Sequence, residues 1–200
     1  MAVTIERIAV GELSANCYMV YDESRDDCVI VDAGAEADRI KRFLRGRTVA
    51  AVLLTHGHID HIGAVDGLAG DNTELYIHTD DLPMLTDTAL NLSAPFGMPL
   101  VIRKPAKTFT GGSRLSLAGL DIKVIHTPGH TKGSCCFDVS GYLLTGDTLF
   151  HMGRGRTDFP GGSERELLKS LQMLLSLDDT RFYPGHGESA MLSQEADVLW

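Results

Sequence analysis

The segment LLTHGHIDHIG, at residues 53–63, constrains the chain more than any other part of its sequence. Three of the eight histidines and one aspartate lie within six positions of one another, directly after an apolar run. His56 and His58 are two positions apart, so an extended backbone points both imidazoles to the same side. Asp60 and His61 begin the next predicted helix and can face a second position. This density of nitrogen and oxygen donors predicts a metal site.

Short runs rich in β-branched and aromatic residues predict strands in both halves of the chain. The predicted strands are 4–10, 16–22, 27–34, 48–55, 74–79, 120–127, 134–140, 141–147 and 181–187, the last of which runs into a turn. Strand 48–55 is apolar throughout, which is typical of a strand covered on both faces. Clusters of strands with helices in each half predict an α/β fold of layered sheets faced by helices, in a single domain over residues 1–200.

Helices are predicted where apolar residues recur at helical spacing. The predicted segments are 35–45, a helix capped by Asp60 that runs through Leu68, and 163–177, where Ser163 and Glu166 form a capping box. Residues 80–107 contain four prolines, which predicts a helix followed by a long irregular loop. Residues 188–200 are expected to add a short helix.

Further donors follow three other predicted strands, in HTPGHT (126–131), TGDT (145–148) and PGHG (184–187). Strand ends are where a fold brings distant segments together, so we expect their donors to join the first four. Seven ligands are too many for one ion, whereas two ions that share a carboxylate use them all and leave room for a bridging water. The predicted ligands are His56, His58 and His130 for the first ion, Asp60, His61 and His186 for the second, and Asp147 as the bridge.

The order HxHxDH, TPGHT, TGDT and PGHG resembles the metallo-β-lactamase superfamily, most closely the glyoxalase II branch of thioester hydrolases. The resemblance runs from VDAGA (31–35) to PGHG, which is nearly the whole chain. It implies an αβ/βα four-layer sandwich, with two mixed sheets between helices and the metals at one edge. It also implies two divalent ions, zinc first, although iron and manganese accept the same donors. Asp32 resembles the aspartate that orients a ligand histidine in this family.

The resemblance implies hydrolysis of S-lactoylglutathione or a related acyl thioester by a hydroxide that the ions activate, with Asp60 as its catalytic hydrogen-bond acceptor. The chain resembles the short members of the branch, which lack the C-terminal helical domain that supplies basic residues for glutathione. We therefore predict substrate contacts from His151, Arg154 and Arg156, although Arg156 is more simply explained by an ion pair with Asp158. True β-lactamases typically carry a cysteine in the second metal site, near the position of Asp147, which disfavours lactam hydrolysis.

Three alternatives share the same motif. A persulfide dioxygenase would use one iron, held by two histidines and an aspartate, for oxygen chemistry. A lactonase is chemically closest to the thioesterase. A nuclease of the same superfamily is disfavoured by the net charge of −9, because an acidic surface repels phosphate backbones.

The composition is that of a globular protein acting on a small molecule, with 44% hydrophobic and 22% charged residues. No apolar run has transmembrane length, and the N-terminus does not resemble a signal peptide. The four cysteines have no CxxC spacing, which favours buried, reduced thiols. We therefore expect a cytoplasmic protein with no nucleic-acid or membrane partner, and the sequence indicates no oligomeric state. His78 is expected to be an ordinary polar residue and His126 to have a structural role.

Overall fold

The computed structural model describes the backbone of residues 2–199 and the side chains of residues 2–195. Its first half forms a six-stranded sheet whose strands lie in chain order. The strands are β1 (Val3–Val10), β2 (Ala15–Asp22), β3 (Asp27–Val31), β4 (Thr48–Leu53), β5 (Glu74–His78) and β6 (Ala106–Phe109). The sheet is mixed, because β1 pairs antiparallel with β2 and β2 with β3, whereas β3 pairs parallel with β4.

A second six-stranded sheet follows, in the order β14-β13-β10-β9-β8-β7. It is also mixed, because β10 pairs parallel with β13, whereas the other strand pairings of this sheet are antiparallel. The strands β11 and β12 form a separate two-stranded hairpin. The bounds are β7 (Arg114–Leu117), β8 (Leu120–His126), β9 (Cys135–Val139), β10 (Tyr142–Gly146), β11 (Leu149–Phe150), β12 (Gly153–Arg154), β13 (Arg181–Pro184) and β14 (Ala190–Met191).

Helices cover the outer faces of both sheets. The α-helices are α1 (Ala37–Phe43), α2 (Ile59–Ile62), α3 (Val65–Leu68) and α4 (Glu164–Leu175), and 3-10 helices span Thr79–Leu85 and Leu192–Leu199. Ile40 of α1 and Val65 of α3 are buried in the core on the outer face of the first sheet. Leu167 and Leu171 of α4 pack with Phe182 on the outer face of the second sheet.

The space between the two sheets is a third apolar core. Val31 and Leu53 of the first sheet pack there with Ile122 and Phe137 of the second, and all four are at most 1% exposed. Burying each such side chain stabilises the fold by about 1.5–3 kcal/mol. The layers are therefore helix, sheet, sheet and helix, which confirms the predicted αβ/βα sandwich with two mixed sheets.

The helix predicted to begin at Asp60 is wrong in its start and its length. His58 occupies the N-cap position, with extended φ and ψ angles of −73° and 151°, and Asp60 lies in the first turn of α2. The helix then stops after Ile62, and α3 starts separately at Val65. The side chain of Asp60 is thereby free to turn toward the other donors instead of capping backbone N–H groups.

The helix expected after residue 80 is replaced by the 3-10 helix Thr79–Leu85, which contains Pro83. The irregular segment that follows is held by Asn91, whose amide donates to the carbonyl oxygens of Met84 and Leu100 at 2.8 and 3.1 Å. Four short strands, β6, β7, β11 and β12, were not predicted. The chain end after residue 188 forms β14 and a 3-10 helix rather than an α-helix, and Trp200, also in that predicted helix, lies outside the described residues.

Only one of the two hydrogen bonds of the predicted capping box forms at the start of α4. The Ser163 hydroxyl accepts a hydrogen bond from the Glu166 N–H at 3.4 Å, as predicted. The Ser163 N–H, however, donates to the carbonyl oxygen of Gly129 at 2.8 Å instead of to Glu166. The helix is therefore tied to the HTPGHT loop, which carries one of the predicted metal ligands.

The four cysteines are free and buried. Among the residues that the structure describes, no helix combines the length and the apolar character needed to cross a membrane.

Candidate metal centre

The seven predicted ligands meet at one rim of the sandwich, where strands of both sheets end. His56 and His58 follow β4, and α2 carries Asp60 and His61. The second sheet supplies the other three: His130 lies in the loop after β8, Asp147 directly after β10 and His186 two residues after β13. Because β10 and β13 are parallel neighbours, their carboxyl ends lie together. The prediction that strand ends bring these side chains together is thus confirmed.

The donor atoms fall into three overlapping trios, and within each trio they lie within 4.8 Å of one another. The trios are His56, His58 and His130; His56, His61 and Asp147; and Asp60, His61 and His186. Asp147 lies between the other two groups: its carboxylate oxygens are 3.3 Å from His61 Nε2 and 3.6 Å from both His130 Nε2 and His186 Nε2. This is the position expected of a ligand that bridges two ions.

Several of these atoms are buried and lack a hydrogen-bond partner. They are the Nε2 atoms of His56, His58 and His61 and Oδ1 of Asp147. A buried polar atom without a partner costs about 1–3 kcal/mol, so a folded protein rarely tolerates several of them in one place. Divalent cations would satisfy all four, and imidazole nitrogen and carboxylate oxygen are donors that zinc and iron accept. The residues present therefore fit a metal centre.

The outer nitrogens of three of the histidines are held by hydrogen bonds that fix the tautomer. His61 Nδ1 donates to Asp32 Oδ2 at 2.9 Å, His130 Nδ1 to the Arg156 carbonyl oxygen at 2.7 Å, and His186 Nδ1 to a carbonyl oxygen in the β1–β2 turn at 3.1 Å. Each donation points the Nε2 atom toward the centre, where His130 Nε2 lies 2.9 Å from His58 Nδ1. The expected contact of Asp32 with a ligand histidine is present.

Burial and neighbouring charges set the protonation of the cluster. Burial holds the pKa of His56 well below its usual value and lowers that of His58 to about 3. For His61 burial acts in the same direction, but the surrounding carboxylates outweigh it and raise this pKa well above the usual value. Burial acts to raise the pKa of Asp147, but the charge of His61 holds it well below its usual range. Neutral imidazoles and an ionised carboxylate are the forms that bind metals, so His56, His58 and Asp147 are in the binding form, whereas His61 would release a proton when a cation binds.

The candidate metal centre is buried on its inner side and exposed to solvent on one outer side. The side chains of His56, His58 and His61 are almost fully buried, whereas Asp60 and His186 are 19% and 27% exposed. Behind the cluster, backbone passes so close that a Cβ on Gly185 would lie 2.1 Å from Asp147 Oδ1. A substrate therefore has access from the side of Asp60 and His186.

Asp81 is a structural residue at the site that sequence reasoning missed. Its carboxylate is 1% exposed and accepts hydrogen bonds from Thr131 Oγ1 at 2.6 Å, Gly133 N at 2.7 Å and Gly57 N at 3.2 Å. It thus ties the HGH segment of the first sheet to the HTPGHT loop of the second. The string TDDLP around it carries no signal of this role, because the contacts are distant in sequence.

His78 is not the ordinary polar residue that was expected. It is 4% exposed, and its ring stacks on that of His126 with centroids 4.2 Å apart and an interplanar angle of 11°. His126 Nε2 also donates to the Lys132 carbonyl oxygen at 2.9 Å. His126 therefore has the structural role predicted for it, and His78 shares it.

The three predicted substrate contacts lie outside the cluster of seven. His151 pairs with the buried Glu195 at 2.7 Å, and Arg154 pairs with Glu164 at 2.7 Å. Arg156 forms the ion pair with Asp158 that the sequence favoured, at 2.6 Å, and its hydrogen bonds lower the pKa of Asp158 to about 2. Substrate binding by these side chains stays a prediction.

Comparison with known proteins agrees with this geometry. The family model described as the metallo-beta-lactamase superfamily matches residues 10–186. The chain belongs to this superfamily. It is 33% identical to the hydroxyacylglutathione hydrolase GloC of Haemophilus influenzae, over 96% of this chain and 95% of that protein. It is 35% identical to the probable metallo-hydrolase YqgX of Bacillus subtilis, over 96% and 93%.

Solved structures of the superfamily share the fold closely. The BLEG-1 B3 metallo-beta-lactamase superposes with a TM-score of 0.91 at 35% identity, covering 97% of each chain. TTHA1623 in a di-iron-bound form gives a TM-score of 0.84 at 34% identity, covering 96% of this chain and 98% of the other. ETHE1 from Myxococcus xanthus gives 0.76 at 25% identity, covering 98% and 83%. The chain is thus a metallo-hydrolase-like member with a His/Asp cluster suited to metals.

Proposed function

We propose that this chain is a dinuclear metal-dependent thioester hydrolase of the glyoxalase II type. The observation that carries the proposal is the set of three overlapping donor trios, with Asp147 between the outer two. His56, His58 and His130 would hold one ion, Asp60, His61 and His186 the other, and Asp147 would contribute to both. Similarity to a hydroxyacylglutathione hydrolase over 96% of the chain supports the reaction class.

Two divalent ions in such a donor set lower the pKa of water toward neutrality and stabilise negative charge on a carbonyl oxygen. The chain's own residues supply the rest. Asp60 Oδ2 lies 3.2 Å from His186 Nε2 at the open side of the site, where it can accept a proton or hydrogen bond from the attacking water. Asp32 and the Arg156 carbonyl oxygen hold the imidazoles of His61 and His130 in place.

The substrate of this proposal is S-lactoylglutathione or a related acyl thioester. Zinc is the first choice of metal, and the di-iron-bound relative supports iron as well. Burial raises the pKa of all four cysteine thiols and makes them poor nucleophiles. The proposed reaction therefore uses water at the metal centre rather than a cysteine as the nucleophile.

The test is a thioester panel on protein reconstituted with zinc, iron or manganese. Asp147→Ala should lose one ion or both and nearly all turnover. Asp121→Ala is the matched control, because Asp121 is exposed and pairs only with Arg114 among the described contacts. Equal turnover by the two variants would contradict the assignment of the site, and circular dichroism establishes that both are folded.

A persulfide dioxygenase is the second candidate, favoured by the donor trio His56, His61 and Asp147, which has the two histidines and one aspartate that a single iron would need. Metal analysis and an oxygen electrode separate the two reactions. One iron per chain together with oxygen uptake that depends on glutathione persulfide would overturn the hydrolase proposal. A lactone and a lactam complete the panel, the lactam because of the similarity to a B3 metallo-beta-lactamase.

A further inference from the structure

A cavity of about 590 Å³ adjoins the metal centre on its open side. Asp60 and Ile59 of α2 lie at its inner edge, so it is continuous with the site. The β1–β2 turn forms one wall, and residues 96–100 of the irregular segment form the other. A substrate bound at Asp60 therefore has this space beside it.

The walls of the cavity carry large apolar side chains that are exposed to solvent. Leu13 and Phe96 are each 52% exposed, and Met98 is 58% exposed. Single exposed hydrophobic residues are ordinary on a protein surface, but several around one cavity mark a binding site for an apolar group. They come from two separate segments of the chain, so local sequence alone does not place them together.

The charged side chains that line the cavity are acidic and therefore disfavour anionic ligands. Its charged lining residues are Glu12, Glu36 and Asp60, and within the described part of the chain it has no lysine or arginine lining. Arg39 partly neutralises Glu36 at 2.9 Å and Asp60 belongs to the proposed metal centre, so Glu12 is the lining charge that has no cationic partner among the described residues. A carboxylate or phosphate entering here would meet like charge without a cationic partner.

An aromatic ring and one arginine lie beside His58, outside the lining of the cavity. The Phe159 ring packs edge-on against His58 with centroids 5.7 Å apart, and the Arg156 guanidinium lies 4.1 Å from the centroid of that ring. Biological thiols that carry acyl groups, such as glutathione, are polar and anionic, whereas the acyl group is the part that can be apolar. The charge of Arg156 is already paired with Asp158. The apolar and acidic lining of the cavity is therefore the observation that favours the acyl half of such a thioester.

We propose that the cavity bounded by Leu13, Phe96 and Met98 binds the acyl group, and that the preferred substrates carry an apolar acyl chain rather than a small polar one such as lactoyl. The inference rests on the proposed thioester hydrolysis and deepens it. Each methylene that enters an apolar site gains about 0.8 kcal/mol, which is roughly fourfold in kcat/KM. The gain should level off once the chain fills the cavity.

The experiment uses the zinc-loaded full chain and thioesters of one uncharged thiol, N-acetylcysteamine, with acetyl, butyryl, hexanoyl and octanoyl groups. We expect kcat/KM to rise by at least tenfold from acetyl to hexanoyl. Met98→Glu adds a charge to the cavity wall and should lower the hexanoyl rate more than the acetyl rate. Met173→Glu is the matched control on α4, where Met173 is 39% exposed and away from the cavity.

A second measurement is independent of turnover. The neutral probe N-phenyl-1-naphthylamine should bind the metal-free wild-type protein and Met173→Glu with increased fluorescence, and bind Met98→Glu at least fivefold more weakly. Equal binding by all three proteins would overturn the proposal.

The kinetic outcomes distinguish this proposal from the one on which it rests. Measurable hydrolysis with a flat or falling dependence on acyl length would overturn the acyl assignment alone. A second series would keep the hexanoyl group and vary the thiol. If kcat/KM rose with the apolar character of the thiol, the cavity would hold the leaving group and the acyl assignment would be overturned. Absence of hydrolysis for every thioester would overturn the proposed function, and the acyl assignment with it.

Discussion

Substitution of Gly185 by alanine should disable the metal centre by displacing Asp147, although no ligand residue is replaced. An added Cβ would lie 2.1 Å from Asp147 Oδ1 and 2.9 Å from His61 Cε1, whereas ordinary contacts begin at 3.4 Å. The carboxylate oxygen must therefore move by about 1.3 Å. Gly185 is also held in place, because its N–H donates to the Gly146 carbonyl oxygen at 2.8 Å and its own carbonyl accepts from Asn16 at 2.7 Å.

A displacement of this size exceeds what a metal–ligand bond tolerates, since such distances hold to about 0.2 Å. We expect Gly185→Ala to bind the more weakly held ion at least about 100-fold less tightly, or about 2.7 kcal/mol. Overpacking should also destabilise the fold by about 1–3 kcal/mol, which leaves a protein of ordinary stability folded at 25 °C. Metal stoichiometry, a competition titration with a chromophoric chelator and thermal melting measure the two effects separately.

The control is Gly70→Ala, because a Cβ there meets only Thr73 Oγ1, at 3.9 Å. This variant should retain two ions and wild-type turnover. If Gly185→Ala also bound two ions with unchanged affinity, Asp147 would not be held where the structure places it, and its assignment as the bridge would be wrong.

Three further predictions concern the surroundings of the site. Asp32→Asn removes the carboxylate that orients His61, so metal affinity should fall about 10- to 100-fold in a competition titration; unchanged affinity would contradict this role. The cysteines should resist a disulfide reagent at pH 8 until the protein is unfolded, because burial raises the pKa of both Cys28 and Cys136 to about 12; rapid labelling of the native protein would refute it. Asp81→Ala leaves the N–H groups of Gly57 and Gly133 without an acceptor and removes one partner of Thr131. The melting temperature should therefore fall by roughly 10 °C, which corresponds to about 3–5 kcal/mol at about 2–4 °C per kcal/mol; a shift below about 2 °C would disprove the tie between the loops.

The sequence predicted the interior strands of both sheets and the long edge strand β1, and it missed the short strands at the other edges. The runs that became β2, β3 and β4 consist mostly of apolar residues and contain β-branched or aromatic ones, so their pattern is strong. The missed strands β6 and β7 lie at the ends of the two sheets and have only four residues each, AKTF and RLSL. Their pairing depends on neighbours that are distant in the chain, which no local pattern reveals.

The candidate ligands were predictable because five of the seven lie next to a glycine after a strand, and Asp60 and His61 follow in the same short string HGHIDH. The error at Asp60 has a physical cause: a residue with high N-cap propensity is used as a donor to the site, so the local rule fails there. The contacts of Asp81 and the stacking of His78 on His126 join segments about 50 residues apart. Such contacts follow from the packing of the two sheets and could not be read from composition or spacing.

The centre draws its donors from both halves of the sandwich: His56, His58, Asp60 and His61 come from the first, and His130, Asp147 and His186 from the second. Ions held there would act as a cross-link that joins two separately hydrogen-bonded sheets. A ligand that binds only the folded state adds about 2.7 kcal/mol of stability when its free concentration is 100 times its dissociation constant. The resistance of this protein to unfolding, and hence its lifetime among proteases, would then follow the free metal concentration around it.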